Sequence, residues 1–198
     1  FIDFLFLIDS FVSPLYKQLE NMILKKLIKL ILKLFSPYYH ARFCGVKMGR
    51  KCFIATRYMP TEAYLIEIGD NVAITDGVKM FTHGGARVAR SKGYPNFDIF
   101  GKISIGDWTY IGSNSLIMPG VSIGKHVLVA AGSVVTHSVP DDVCIAGNPA
   151  RIIGTTDDYV KNNLKHNYGT KSLSSDKKKN IILSHPEKLI CKSFLKNQ

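Results

Sequence analysis

The sequence predicts a mainly β fold, a left-handed parallel β-helix, with an N-terminal helix and a short C-terminal helix and tail. Two observations predict it. The first is a period: Ile99, Ile105, Ile111, Ile117, Ile123, Val129 and Val135 fall every six residues without a gap. About half the positions of an ordinary chain are apolar, so an unbroken β-branched run at one spacing is far from chance. The second is the company this period keeps. Ile103, Thr109, Ser115, Val121, Val127, Ser133 and Val139 follow four residues behind, and Gly106, Gly112, Gly124 and Ala130 sit just after the key apolar residue. Each hexad then supplies one short strand and one tight corner, where a large side chain has no room. Three hexads make a three-sided coil whose inward residue stacks on its equivalent 18 residues later. One coil cannot bury that face, so several must stack. A β-sandwich would instead show period two and hairpin turns.

The elements follow in order. In residues 1–40, the stretch 14–35 (PLYKQLENMILKKLIKLILKLF) reads as one helix, with Pro14 in its first turn and Pro37 just beyond its end. Lys25, Lys29 and Lys33 form a narrow stripe among Leu and Ile. So broad an apolar face needs a cover: the main domain, another subunit, or a membrane surface to which the lysines snorkel. No uncharged run approaches the roughly 18 residues of a membrane span. The opening FIDFLFLIDSF carries Asp3 and Asp9 and no basic segment, which makes it a poor signal peptide.

Residues 41–154 hold the coils. Their frame extends upstream through Ile68-Gly69, Ile74 and Met80, and more faintly through Met48-Gly49 and Ile54. It breaks between Met80 and Ile99, where Gly84-Gly85, Gly93 and Pro95 fit a loop thrown out over about 84–98. Loops raised on a rigid scaffold commonly carry function. Residues 155–198 open with a short helix near 157–163 and continue as a loosely ordered tail with a solvated lysine run at 177–179.

The chain carries 26 Lys or Arg against 15 Asp or Glu, a net charge of +11, which calls for an anionic partner. The excess is spread as +2, +4 and +5 over residues 1–40, 41–154 and 155–198. No basic patch is interleaved with aromatics and no reader motif is present, so nucleic-acid binding is not expected. Cys44, Cys52, Cys144 and Cys191 show neither CxxC spacing nor scaffold density, the pattern of reduced cysteines in a cytoplasmic protein. His83, His126 and His137 lie near the coils without an HxxxxH pair, and no zinc site is expected.

The stretches IGDNVAITDGVKMFTHGG (68–85), FGKISIGDWTYIGSNSLIMPGVSIG (100–124), VAAGSVVTHSVPDD (129–142) and AGNPARIIG (146–154) resemble the hexapeptide-repeat acyltransferases. Within that family they are most similar to the sugar O-acetyltransferases, of the maltose or galactoside type and of the capsule or colanic-acid type. The resemblance covers about residues 42–154. It implies a homotrimer with sites between neighbouring β-helices, acetyl-CoA as co-substrate, no metal, and His83 as general base. The chemistry of the residue agrees: imidazole titrates near neutrality and can accept a hydroxyl proton.

For coenzyme A the matched positions are Tyr110, Ser113, Ala131, Gly132, Thr136, His137 and Arg151, the arginine meeting phosphate. The family often has Lys where His137 stands. The carboxylate partner of His83 would come from Glu62, Glu67, Asp76 or Asp98, with Asp76 favoured. Asp76, Gly84, Arg87, Arg90 and Asp98 are the candidates for acceptor binding. The acceptor would be a small-molecule or lipid-linked sugar of polysaccharide biosynthesis. Residues 14–35 would offer peripheral contact with the inner face of the cell membrane. The competing readings are N-acetylation of an amino sugar on the same fold and a non-catalytic trimeric scaffold.

Overall fold

The computed structural model describes residues 22–194. The first stretch of the expected N-terminal helix, 14–21, and the last four residues lie outside them. Helix α1 covers residues 22–35. Pro37 ends it and also starts the next: Ser36 caps α2 (Pro37–Phe43), where a missing proline N–H costs nothing in the first turn.

From there the chain winds in short strands. The first coil gives β1 (Lys47–Met48) and β2 (Phe53–Ile54). The second gives β3 (Ile66–Ile68), β4 (Ala73–Ile74) and β5 (Lys79–Met80). After α3 (Ala86–Ser91) the third gives β6 (Ile103–Ile105), β7 (Tyr110–Ile111) and β8 (Leu116–Ile117). The fourth gives β9 (Ser122–Ile123), β10 (Leu128–Val129) and β11 (Val134–Val135). A hairpin of β12 (Val143–Gly147) and β13 (Ala150–Thr155) closes the stack.

These strands fall into three sheets that the chain visits in turn: β1-β3-β6-β9, β2-β4-β7-β10-β12-β13, and β5-β8-β11. All pairs are parallel except β12–β13. Ile105 lies on Ile123, Ile111 on Val129 and Ile117 on Val135, each partner 18 residues on. The period of six is therefore the inward face of a three-sided stack. Ile111, Ile117 and Val129 are wholly buried in it, with Ile74 and Met80 below them.

Residues four behind the key apolar position are buried too, and where they are polar they bond backbone carbonyls. Thr109 Oγ1 donates to Gly124 O at 2.8 Å, Ser115 Oγ to Gly112 O at 2.7 Å and Ser133 Oγ to Ala130 O at 2.7 Å. The glycine position just after the inward residue leaves no space for a side chain: a Cβ on Gly112 would come within 2.5 Å of the Ala131 nitrogen. Non-glycine residues also take the left-handed conformation at the corner between the first and second sheets, at Asn71, Trp108 and His126, with φ of 58°, 59° and 52°. An aspartate ladder braces this corner. Asp107 Oδ1 accepts from Asp70 N at 2.8 Å, and Asp70 Oδ1 accepts from Arg50 N at 2.7 Å.

The structure corrects the sequence reading at three points. Ile99 fits the period but is 50% exposed, because the chain re-enters the first sheet only at Ile103. Val139 extends the sequence period but changes role: it bridges Ile123, only 16 residues earlier, so the last coil is short. The tail is also more ordered than expected. The helix near 157–163 is present as α4 (Thr156–Asn163), capped by Thr155. A second helix, α5 (Ser175–Ser184), then carries the lysine run. Its Ile181 and Ile182 are half-buried while Lys177–Lys179 face solvent. Tyr168 Oη donates to His185 O at 2.6 Å and ties the end of α5 back to the preceding loop.

Candidate active site

The corner that joins the third sheet to the first is where the coils differ in length. Ile54 pairs with Ile74 at an offset of 20 residues, and Met80 with Ile117 at an offset of 37, against 18 higher up. The surplus residues leave the stack at 57–65 in the first coil and at 81–102 in the second. Two loops on one corner of successive coils must touch, and the contact is chemical. His83 Nδ1 lies 2.5 Å from Glu62 Oε2. Thr82 Oγ1 donates to the same oxygen at 3.0 Å, and Thr61 Oγ1 donates to Glu62 Oε1 at 2.7 Å. A bridge between His83 and Phe100, with Gly101 N donating to Thr82 O at 2.7 Å, closes the neck of the longer loop.

The electrostatics follow from these bonds. Hydrogen bonds from Thr61, then from His83 and Thr82, outweigh partial desolvation and hold the Glu62 carboxyl below its usual range. An ionised Glu62 takes the Nδ1 proton of the imidazole as its donor, which leaves the Nε2 lone pair free. The imidazole is open to solvent, its side chain 46% exposed, while Glu62 is 18% exposed beneath it. An imidazole held from behind and open in front can accept a proton from a bound hydroxyl.

Glu62, not the favoured Asp76, is the partner of His83. Asp76 sits exposed at the corner between the second and third sheets, where its carbonyl accepts the Asn114 N–H. Glu67 is engaged on the first sheet by Lys47 at 3.0 Å and Lys102 at 2.6 Å. Of the acceptor candidates, Gly84 and Gly85 lead into α3, which carries Arg87 and Arg90. Arg90 Nε donates to Phe97 O at 3.0 Å and its guanidinium lies 3.6 Å from Asp98, so these two residues brace the loop itself. Thr61 and Thr82 escaped the sequence reading. The register could have found Glu62, since an offset of 20 sets residue 62 beside residue 82.

The residues matched to coenzyme A divide into three places. Thr136, His137 and Arg151 line one open cleft of about 510 Å³, with Ile145 and Ile152 as part of its apolar wall. Thr136 and His137 occupy the same corner of the stack as His83, two coils further on. Ser113, Ala131 and Gly132 meet at the corner between the second and third sheets, where Gly132 N donates to Ser113 O at 2.8 Å. Tyr110 lies on the outer face of the second sheet, between Ala73 and Leu128. Within one subunit the structure does not bring these three groups together.

Comparison with known proteins agrees with this architecture. A family model described as the hexapeptide repeat of succinyl-transferase matches residues 102–137. Protein CapG of Staphylococcus aureus is 42% identical over 165 residues, spanning 81% of this chain and 95% of that one. The galactoside O-acetyltransferase of Escherichia coli is 31% identical over 137 residues, 69% of this chain and 66% of its own. A hexapeptide-repeat acetyltransferase of Vibrio cholerae, solved with acetyl coenzyme A, superposes with a TM-score of 0.50 at 33% identity. That match covers 56% of this chain and 60% of the other. The chain belongs to the hexapeptide-repeat acetyltransferases, and it is an acyltransferase.

Proposed function

We propose that this chain is an acetyl-CoA-dependent O-acetyltransferase acting on a hydroxyl of a sugar or polysaccharide precursor, with His83 as general base. One observation carries the reading: Glu62 holds the Nδ1 edge of His83 at 2.5 Å, at the root of a loop raised from the stack. With Nδ1 protonated toward Glu62, Nε2 removes the acceptor hydroxyl proton as the oxygen attacks the thioester carbonyl. The C–S bond breaks, the acetyl ester forms, and the departing thiolate takes the proton back from the imidazolium.

The stack is left-handed in this reading and works as a homotrimer, with each site between two subunits. That assembly would explain the division of the cofactor residues. The cleft of Thr136, His137 and Arg151 on one subunit would face the corner of Ser113, Ala131 and Gly132 on its neighbour. Exposed Phe53 and Tyr110 on the second sheet support the burial of that face, whereas the first sheet turns Lys47, Glu67 and Lys102 to solvent. The loop carrying Gly84, Arg87, Arg90 and Asp98 would form the acceptor side.

The test is direct. Purified protein is incubated with acetyl-CoA and free or lipid-linked sugars, released thiol is followed, and products are weighed by mass spectrometry. An ester-acetylated sugar is expected. Acetylation only of amino sugars, at nitrogen, would overturn the choice of O-transfer, and no transfer to any acceptor would favour a non-catalytic scaffold.

A further inference from the structure

Helix α1 leaves a surface that acyl transfer does not use. At 100° per residue, Lys25, Lys26, Lys29 and Lys33 gather within an arc of about 100°, while apolar residues cover about 200° of the remainder. One edge of the apolar arc, Ile28 and Leu32, is half-buried against the body. The rest stands open: Leu24, Leu27, Leu30 and Leu34 are each more than half exposed, and Phe35 is 83% exposed. Tyr39 and Phe43, four apart on α2, are exposed as well, at 61% and 43%.

The charge around it is of one sign. Residues 21–61 contain nine Lys or Arg and not a single Asp or Glu, and of these Lys47 and Arg50 are paired with Glu67 and Asp70 on the first sheet. A second copy of the chain laid on α1 would bring two such ends together with no acidic complement in either segment. An anionic lipid surface supplies both the apolar layer and the opposite charge. No described helix is long and apolar enough to cross a membrane, and a lysine stripe beside a broad apolar arc on one helix suits the plane of the interface.

We propose that α1, with the aromatic residues of α2, docks the enzyme on an anionic bilayer surface. The open apolar arc enters the boundary between headgroups and acyl chains, and the four lysines meet lipid phosphates. The anchor is coupled to the candidate site. Arg57 Nε donates to Lys33 O at 3.1 Å, and the neighbouring Tyr58 packs on Phe81, two residues before His83, with ring centroids 5.8 Å apart. In the proposed trimer, cyclic symmetry sets three such helices at one height, and their weak affinities multiply. Docking itself does not rest on the acetyl-transfer reading.

The experiment is vesicle flotation of the full chain, with sedimentation velocity run on the same samples. Vesicles of phosphatidylcholine alone are compared with vesicles containing about 30% phosphatidylglycerol, an anionic fraction chosen to set a clear surface potential. Binding to the anionic vesicles is expected, at least about tenfold stronger than to neutral ones and weakened by salt. Replacing Lys25, Lys26, Lys29 and Lys33 together by Gln should lower it about a hundredfold or more. Leu27→Glu with Ile31→Glu should abolish binding and leave the oligomer intact. His83→Ala should bind vesicles like wild type, so a failure of catalysis and a failure of docking read separately. Absent or charge-independent binding would overturn the proposal. So would dissociation of the oligomer by Leu27→Glu and Ile31→Glu, which would assign α1 to a second copy of the chain.

Discussion

Replacing His83 by Ala tests the base and its support together. A positioned general base typically contributes about a hundredfold to ten-thousandfold, so kcat should fall by that range. Stability should hardly move. The imidazole is 46% exposed and its hydrogen-bond partner is Glu62, which lies near the surface. Surface substitutions usually stay within about 0.5 kcal/mol, or about 2 °C in Tm for a chain of this size. Glu62→Gln keeps the shape but removes the charge that fixes the Nδ1 proton, so it should lower kcat by up to about ten-thousandfold, as the wrong tautomer does in a Ser-His-Asp triad. The two effects should not add. If Glu62 acts through His83, then Glu62→Gln changes nothing further once His83 is Ala, because groups acting as a unit are non-additive. The assay is thiol release with acetyl-CoA and an acceptor, alongside thermal unfolding of all four proteins. Activity of His83→Ala within a few-fold of wild type would refute the base. An undiminished cost of Glu62→Gln in the His83→Ala background would refute the pairing.

Three further outcomes are expected. Coenzyme A at about a hundred times its Kd should stabilise the native state by about 2.7 kcal/mol. That is a rise of roughly 5–10 °C in Tm, and Arg151→Glu should reduce it at equal ligand. Ile111→Ala, at a wholly buried position between Ile74 and Val129, should cost about 2–5 kcal/mol and lower Tm by roughly 5–15 °C, read by calorimetry. Acid should weaken the fold through its surface carboxylates. Glu67 is held below its usual range by Lys102 and Lys47, Asp70 by the Arg50 backbone and guanidinium, and Asp107 by the Asp70 N–H. Their stabilisation is complete above the unfolded carboxylate value near ~4 and is lost as pH falls through the lower folded values. Tm should therefore be flat from neutrality to about pH 5 and drop below about pH 4, with a shallower drop for Glu67→Gln.

The repeat was legible because each hexad obeys one steric rule: the inward position must be apolar and the corner beside it must be small. Ile105 to Val135 need no tertiary information to be read. Ile99 obeys the spacing yet lies outside the stack, because periodicity cannot tell a strand residue from one on the neck of a loop that happens to fall in phase. Glu62 was harder for a different reason. Its role depends on the register between two coils, and the faint frame at Met48 and Ile54 gave the first coil without fixing its offset. Asp76, favoured from the sequence, is also at a corner, where a turn role competes with a catalytic one. Aspartates in this stack serve the backbone, as Asp70 and Asp107 do. Helix α5 was read as tail because Lys177–Lys179 dominate its composition. Its order comes from Ile181 and Ile182 and from the Tyr168 bond to His185, contacts with no local pattern.

That the long loops share one corner is a consequence of how such a stack is held. A strand cannot gain a residue without turning its inward side chain outward, since successive residues face opposite sides. Corners can, because the strands on either side regain register as long as the surplus leaves the stack. Here the corner after the third sheet absorbs the changes in length: it carries Glu62 in the first coil and His83 in the second, and it is tight in the third. Two successive loops on one edge bring a carboxylate from one coil against an imidazole from the next, which neither coil could do alone. The same corner, two coils on, reaches Thr136 and His137 at the cleft of Arg151. Coil spacing of about 4.8 Å sets the proposed base and that cleft about 10 Å apart along the axis, so an extended thioester arm lying along the stack could span both. The rigid repeat fixes that distance, while the loop at 81–102 is left free to differ in what it recognises.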